Sequence, residues 1–337
     1  MIPHNKPTLG IEEDEASLRA LHSGFISQGK EVENFEKEFC KFIGLPDGHA
    51  VAVSSGTAAL FLSLWVLKSE GVRIGFPGYV CSAVRNAVGM IGGIECLLDN
   101  EPNSPNTNLQ EIFQKSCDIT IIPHMFGIPI DLSDLQSVKI IEDCAQALGA
   151  KVNEKYVGLQ GTVGIYSFYA TKLITSGGQG GLFVSKDKEL VDQVRDYREF
   201  DYRHDKKLRF NFQMTDLQAA IGRVQLSKLP KFLSRREEIF NRYRDFGLDL
   251  VDVNSNEVKK LHPVRYRAIV KTNSPKKIIE SLDAVGVKAI IPVEDWELLG
   301  GSNLSPNAFK MTKETVSLPI YPSLTDEDVD LILSGLK

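Results

Sequence analysis

The sequence predicts an α/β protein, with a large domain on a mostly parallel sheet followed by a small C-terminal α+β domain. Three observations carry this expectation. Short runs rich in Val and Ile recur between residues 50 and 184, with longer segments of helical character between them. Most of these runs are apolar throughout instead of alternating, which suits strands buried on both faces. At 337 residues the chain also exceeds what one hydrophobic core usually serves.

In chain order, Ala50-Val51-Ala52-Val53-Ser54 reads as a strand and Thr57 to Lys68 as a mostly buried helix. Arg73 to Pro77 is a second strand, followed by a helix through Ala83, Val84, Ala87 and Val88. Ile94 to Leu98, Ile119 to Ile122, Val138 to Ile141, Ile165 to Phe168 and Gly181 to Val184 are further strands. After about residue 200 the pattern changes. Leu217, Ala220, Ile221 and Val224 hold the spacing of an amphipathic helix, and a charged helical stretch, Ser234 to Ile239, comes next. Arg265 to Val270 then reads as a strand and Pro275 to Leu282 as a helix. These place a domain boundary near residue 230, dividing the chain into 1–230, with its N-terminal segment, and 231–337.

Composition excludes several classes of function. The 39 Lys and Arg against 44 Asp and Glu leave a formal net charge of −5, which argues against nucleic-acid binding. The longest strongly apolar stretch, Ala58 to Leu67, is too short to cross a bilayer, and the opening residues lack the apolar core of a signal peptide. Five widely spaced cysteines form no metal knuckle or redox dithiol in sequence. Reduced thiols in a cytoplasmic protein without a membrane partner or a metal site are therefore expected.

Three segments could carry chemistry. Ser54-Ser55-Gly56-Thr57 lies between a strand and a helix, where free N–H groups and the helix dipole favour an anion; the same residues also suit a plain N-cap. Glu142-Asp143 ends an apolar strand, at the sheet edge where α/β proteins place ligands; a loop turn or cap is the alternative. Lys172 is the lone charge in Ser167-Phe168-Tyr169-Ala170-Thr171-Lys172-Leu173-Ile174, and an amine in such surroundings suits a Schiff base; a lysine reaching out to solvent is the alternative. The glycine tract Gly177 to Gly181 follows it. Together an anion cup, a carboxylate and a lysine are the parts of a pyridoxal-phosphate site.

With these motifs the sequence resembles the DegT/DnrJ/EryC1/StrS group of pyridoxal-phosphate-dependent sugar aminotransferases. The resemblance spans nearly the whole chain. It rests on Ile2-Pro3 to Pro7, Ser55 to Leu60, Glu142 to Gln146, Ser167 to Lys172, Asn211 to Asp216 with Gln218 to Gly222, and Ser317 to Pro322. It implies an aspartate-aminotransferase-type fold (fold type I) and a homodimer with shared sites. By position it implies that Lys172 bonds the cofactor aldehyde, Asp143 faces the ring nitrogen and Gln146 lies near the ring hydroxyl. Ser55, Gly56, Thr57 and Ser167 would hold the phosphate, with Asn211 reaching it from the partner subunit. The expected activity is transfer of an amino group from an amino acid, such as glutamate, to a keto-sugar. A nucleotide-linked acceptor in amino-sugar, surface-polysaccharide or secondary-metabolite biosynthesis is implied.

The chain also departs from the family pattern. Cys81 stands where many relatives place an aromatic residue or His against the ring, which leaves stacking to Tyr79 or another residue. Gln179 and Gln213 replace the usual Glu and Arg, and Val287 to Pro292 lacks a His-Tyr-Pro element found near the acceptor in many members. A lyase or dehydratase using the same cofactor, or an inactive family-like binding subunit, are the alternatives. A nicotinamide-binding Rossmann domain is excluded, because no G-x-G-x-x-G follows the first strand. The charges of Val194 to Phe212 read as a solvated mixed-charge face or an anion cradle, and His124 as a hydrogen-bonded structural histidine.

Overall fold

Each of the seven apolar runs becomes a strand of one sheet in the computed structural model, which describes residues 1–254, 257 and 260–337. The strands are β1 (Ala50–Val53), β2 (Arg73–Pro77), β3 (Ile94–Leu98), β4 (Ile119–Pro123), β5 (Lys139–Asp143), β6 (Val163–Ser167) and β7 (Gly181–Val184). They lie in the order β1-β7-β6-β5-β4-β2-β3. All are parallel except β7, which runs antiparallel to both neighbours. Strands β1, β4 and β7 are buried along their whole length, as their unbroken apolar character demands.

Two helices that the apolar runs do not announce precede β1: α1 (Ile11–His22) and α2 (Lys30–Ile43). Helix α2 buries Val32, Phe35, Phe39 and Ile43, one face at helical spacing, and its first turn is capped from a distance. Asp216 Oδ1 accepts the N–H groups of Gly29 and Val32 at 2.8 and 3.1 Å. On the sheet's other face lie α3 (Gly56–Val66), α4 (Ala83–Met90) and α5 (Lys188–Arg198). The charges around α5 are paired within the chain: Arg195 and Arg198 with Glu36, and Lys207 and Arg209 with Asp196. They form the mixed-charge face, not a vacant cradle.

The two helical stretches expected between residues 217 and 239 are one helix, α6 (Asp216–Asp245), with Pro230 inside it. A proline at that point costs one backbone bond, and packing along both halves of the helix overrides this. Leu226, Leu229 and Phe232 join the core of the large sheet, whereas Ile239, Phe240 and Tyr243 join a second core with Val270, Leu282 and Leu318. Residue 230 thus falls inside a continuous helix that serves both cores. The second core contains the antiparallel pair β8 (Ala268–Lys271) and β9 (Thr315–Leu318) and the helices Pro275–Ala284 and Asp326–Ser334. It also takes the start of the chain: Ile2 donates to Gly286 O at 2.8 Å and accepts from Lys288 N–H at 2.9 Å. β8 begins at Ala268 instead of Arg265 because the Arg265 and Tyr266 carbonyls are taken by Arg236 Nη1, at 3.1 and 3.2 Å.

Candidate active site

Six strands point their carboxyl ends at one edge of the sheet, and β7 starts there. The loops leaving that edge enclose a cavity of about 340 Å³. Its lining brings together Ser55, Gly56, Thr57, Cys81, Asp143, Gln146, Ser167 and Lys172. Asn211 alone among the expected site residues lies outside this lining, exposed on the surface. Tyr79, weighed above as a stacking group, is fully buried against Phe126 and also lies outside. His124, Tyr169 and Gln179 complete the polar wall.

The expected anion cup is the N-terminus of α3. Ser55 is its N-cap, accepting the Ala58 N–H at 3.1 Å, which is the cap reading. The Gly56 and Thr57 N–H groups precede the first intrahelical bond, and Gly56, Thr57 and Ser167 all line the cavity. Gly56 is required by close approach: a Cβ there would sit 2.9 Å from Ser167 Cβ.

The two carboxylates ending β5 diverge, because successive strand residues face opposite ways. Glu142 is fully buried away from the cavity. It accepts N–H groups from Gly158, Gln160 and Gly161 at 2.8, 2.6 and 2.7 Å, and His124 Nε2 lies 3.0 Å away. His124 Nδ1 accepts the Ile130 N–H at 3.1 Å, so the ring proton sits on Nε2 and is donated to Glu142. Burial pushes the Glu142 pKa up, but His124 and the Gly161 and Gly158 N–H groups outweigh it and hold it below the ordinary carboxyl value. His124 is thus a hydrogen-bonded structural residue that also forms cavity wall.

Asp143 faces the cavity. Its Oδ1 accepts the Ala145 N–H at 2.9 Å, while burial raises its pKa against that bond and the nearby Lys172 charge. A cationic N–H brought to this carboxylate would relieve its burial. Gln146 turns its carbonyl back to the Phe126 N–H at 2.8 Å and its amide toward Met125 Sδ at 3.9 Å, at the cavity wall.

Lys172 sits on the long return between β6 and β7. That return is fastened by Phe168 N–H to Gly180 O and Ala170 N–H to Gly178 O, at 2.9 and 3.1 Å. Gly177 and Gly178 take φ of 73° and 121°, which side chains rarely tolerate, so the glycine tract shapes the loop. Gln225, buried in α6, accepts the Thr175 N–H and donates to Thr8 O and Glu13, tying the loop to the N-terminal strap.

Pyridoxal phosphate fits these residues: a helix N-terminus, a buried carboxylate that makes no ion pair among the described residues, and an amine at one cavity. Tyr266, which no local sequence signal places at the site, backs Lys172, whose Nζ lies 5.4 Å from its ring centroid.

Comparison with known proteins agrees with this geometry. The chain is 30% identical to the GDP-perosamine synthase of Escherichia coli O157:H7, covering 100% of this chain and 98% of that protein. It is 29% identical to the spore coat polysaccharide biosynthesis protein SpsC of Bacillus subtilis, with 100% and 96% covered. The crystal structure of the aminotransferase TlmJ from Streptoalloteichus hindustanus superposes with a TM-score of 0.92 at 26% identity, covering 100% of this chain and 98% of that one. The model of the DegT/DnrJ/EryC1/StrS aminotransferase family matches residues 7–337. The chain belongs to that family, whose enzymes are pyridoxal-phosphate-dependent sugar aminotransferases.

Proposed function

We propose that this enzyme moves an amino group from an amino acid, glutamate being the first donor to test, to a nucleotide-linked keto-sugar. The observation that carries the reading is Lys172 and Asp143 on one cavity with the α3 anion cup. The names of the perosamine and spore-coat relatives support a sugar acceptor, in amino-sugar or surface-polysaccharide biosynthesis. When bound, the cofactor supplies an aldehyde for the amine and a protonated ring that takes up the electron pair released at the donor α-carbon. Asp143 would hold the ring-nitrogen proton. Gly56 and Thr57 N–H, with Ser55, Thr57 and Ser167, would hold the phosphate, and Gln146 would serve the ring hydroxyl. Cys81 would offer the ring less contact area than an aromatic residue. Lys172, once free, would take the proton from the donor α-carbon as base and return it, as acid, to the former aldehyde carbon of the cofactor. Water would then release the keto acid and leave the amino group on the cofactor, and Lys172 would make the same two proton transfers in reverse on the sugar.

The exposed position of Asn211 supports a homodimer in which Asn211 of the partner subunit completes the phosphate site. Among the described residues no helix is long and apolar enough to cross a membrane; a cytoplasmic setting is part of the same proposal, as is the division of the chain near residue 230.

The test is an absorbance spectrum of the purified protein with pyridoxal phosphate, before and after glutamate, beside Lys172→Ala. A visible band that requires Lys172 and that glutamate bleaches is expected. A band that glutamate and other amino acids leave untouched would favour lyase chemistry. No band from folded protein would favour a binding subunit.

A further inference from the structure

A lysine that must leave its bond and return to it needs somewhere to rest. Among the described residues Lys172 Nζ makes no hydrogen bond and no ion pair; its nearby partner is the Tyr266 ring, 5.4 Å from centroid to nitrogen. Tyr266 is buried at the junction between the two cores, and its own setting is cationic. Arg236, from α6, donates to its carbonyl at 3.2 Å, and the Arg267 guanidinium lies 5.5 Å from the same ring. Among the described residues neither arginine pairs with a carboxylate. Arg236 is spent on three backbone carbonyls, and Arg267 on His4 and Ser317. Burial holds His4 down to about 3, so it adds no charge near neutral pH. The groups facing the phenol are therefore Lys172 and Thr171 from the loop, Arg236 from α6, and Arg267 from its own segment.

From this geometry we propose that Tyr266 is a positioning residue whose ring is the seat of the Lys172 amine whenever that amine is not bonded to cofactor. The inference rests on Lys172 being the amine of the reaction. A ring face attracts an ammonium without accepting its proton. A carboxylate in that place would compete for the proton that the amine must deliver. The seat is itself held. Asn5 donates to Thr171 O at 2.9 Å, fixing the residue before Lys172, and Arg236 fixes the Tyr266 backbone. Burial pushes the phenol pKa up, but Lys172, Arg267 and Arg236 outweigh it and hold it below the ordinary tyrosine value, so lysine and phenol are electrostatically coupled.

The test uses the full-length protein without cofactor. Trace acylation with acetic anhydride near neutral pH, read by peptide mass spectrometry against the exposed lysines, measures how freely the Lys172 amine reacts. Tyr266→Leu should raise its relative reactivity about three- to fivefold, the size expected for losing a partly exposed cation–π contact, and Tyr266→Phe should leave it within about 1.5-fold. Equal reactivity in wild type and a folded Tyr266→Leu overturns the proposal. A second measurement stands if the leucine variant does not fold. In ¹³C-tyrosine spectra, the Tyr266 resonance should titrate at higher pH in Lys172→Met than in wild type, because a neighbouring positive charge has gone. An unshifted titration also overturns it. A missing cofactor band with the expected acylation pattern would sink the aminotransferase reading alone. A normal band with unchanged acylation would sink the seat alone.

Discussion

The Glu142 anchor should be worth several kcal/mol, and Glu142→Gln is the change that measures it. The substitution keeps the shape and removes one acceptor oxygen. Oε1 takes the Gln160 and Gly161 N–H groups, and Oε2 takes the Gly158 N–H and faces His124 Nε2. Whichever way the amide turns, its NH₂ meets two donors, so two charge-assisted bonds are lost and two donors stay buried. At ~1.5–3 kcal/mol for each bond to a charged group, the loss is ~3–6 kcal/mol. An unfolding entropy of ~2.1 cal/mol/K per residue over a chain of this length converts ~4 kcal/mol into a fall in Tm of ~6 °C. Calorimetry of the cofactor-free protein at neutral pH would read it. The pH dependence supplies a second signature. Because Glu142 is held below its ordinary value when folded, its stabilisation is fully present above the unfolded carboxyl pKa of ~4.3 and is lost as pH falls through the folded value. Wild type should therefore weaken more steeply than Glu142→Gln as the medium is acidified below about pH 4. A variant within ~1 kcal/mol of wild type, with an unchanged acid limb, would mean the buried group is already neutral and the reasoning is wrong.

Further outcomes follow from the cavity. Asp143→Asn should lower the donor half-reaction at least about a hundredfold in stopped-flow absorbance, since an amide cannot keep a ring nitrogen protonated. Burial raises the Asp143 pKa, so cofactor affinity in wild type should weaken as pH falls through it, a limb that titrations of Asp143→Asn should lack. Gly56→Ala forces Ser167 away from α3 and should weaken cofactor binding about tenfold or more, read by fluorescence titration. If sites are shared, Lys172→Ala and Asn211→Ala chains, each poorly active, should regain activity when co-refolded, because one site of the mixed dimer is intact; no recovery would deny the sharing. Cys81 is exposed at the cavity, whereas burial pushes Cys117 up to about 12, so iodoacetamide should label Cys81 first and bound cofactor should slow it, read by mass spectrometry.

The core of this fold was legible because buried parallel strands write themselves as unbroken apolar runs, and every one of the seven is a strand. What the sequence hid follows from long-range packing. Helices α1 and α2 carry mixed composition, and α2 takes its cap from Asp216, far along the chain, so no local start signal exists for it. The two halves of α6 carry different sequence signals, amphipathic spacing over 217–224 and a charged stretch over 234–239, with Pro230 between them. Arg236, the most polar-looking part of that stretch, is fully buried on three carbonyls and shortens β8. The site shows the same division. Ser55, Gly56, Asp143 and Lys172 could be named because strand ends, helix starts and a lone lysine are local signals. Which of Glu142 and Asp143 faces the cavity follows from strand alternation only once one inward residue is known. Tyr266 could not be assigned at all, since it reaches Lys172 from the far side of the chain. The local signals therefore mark groups that bear charge toward a ligand. The groups that decide where those charges rest, Glu142 behind His124 and Tyr266 behind Lys172, become visible only when the packing is known.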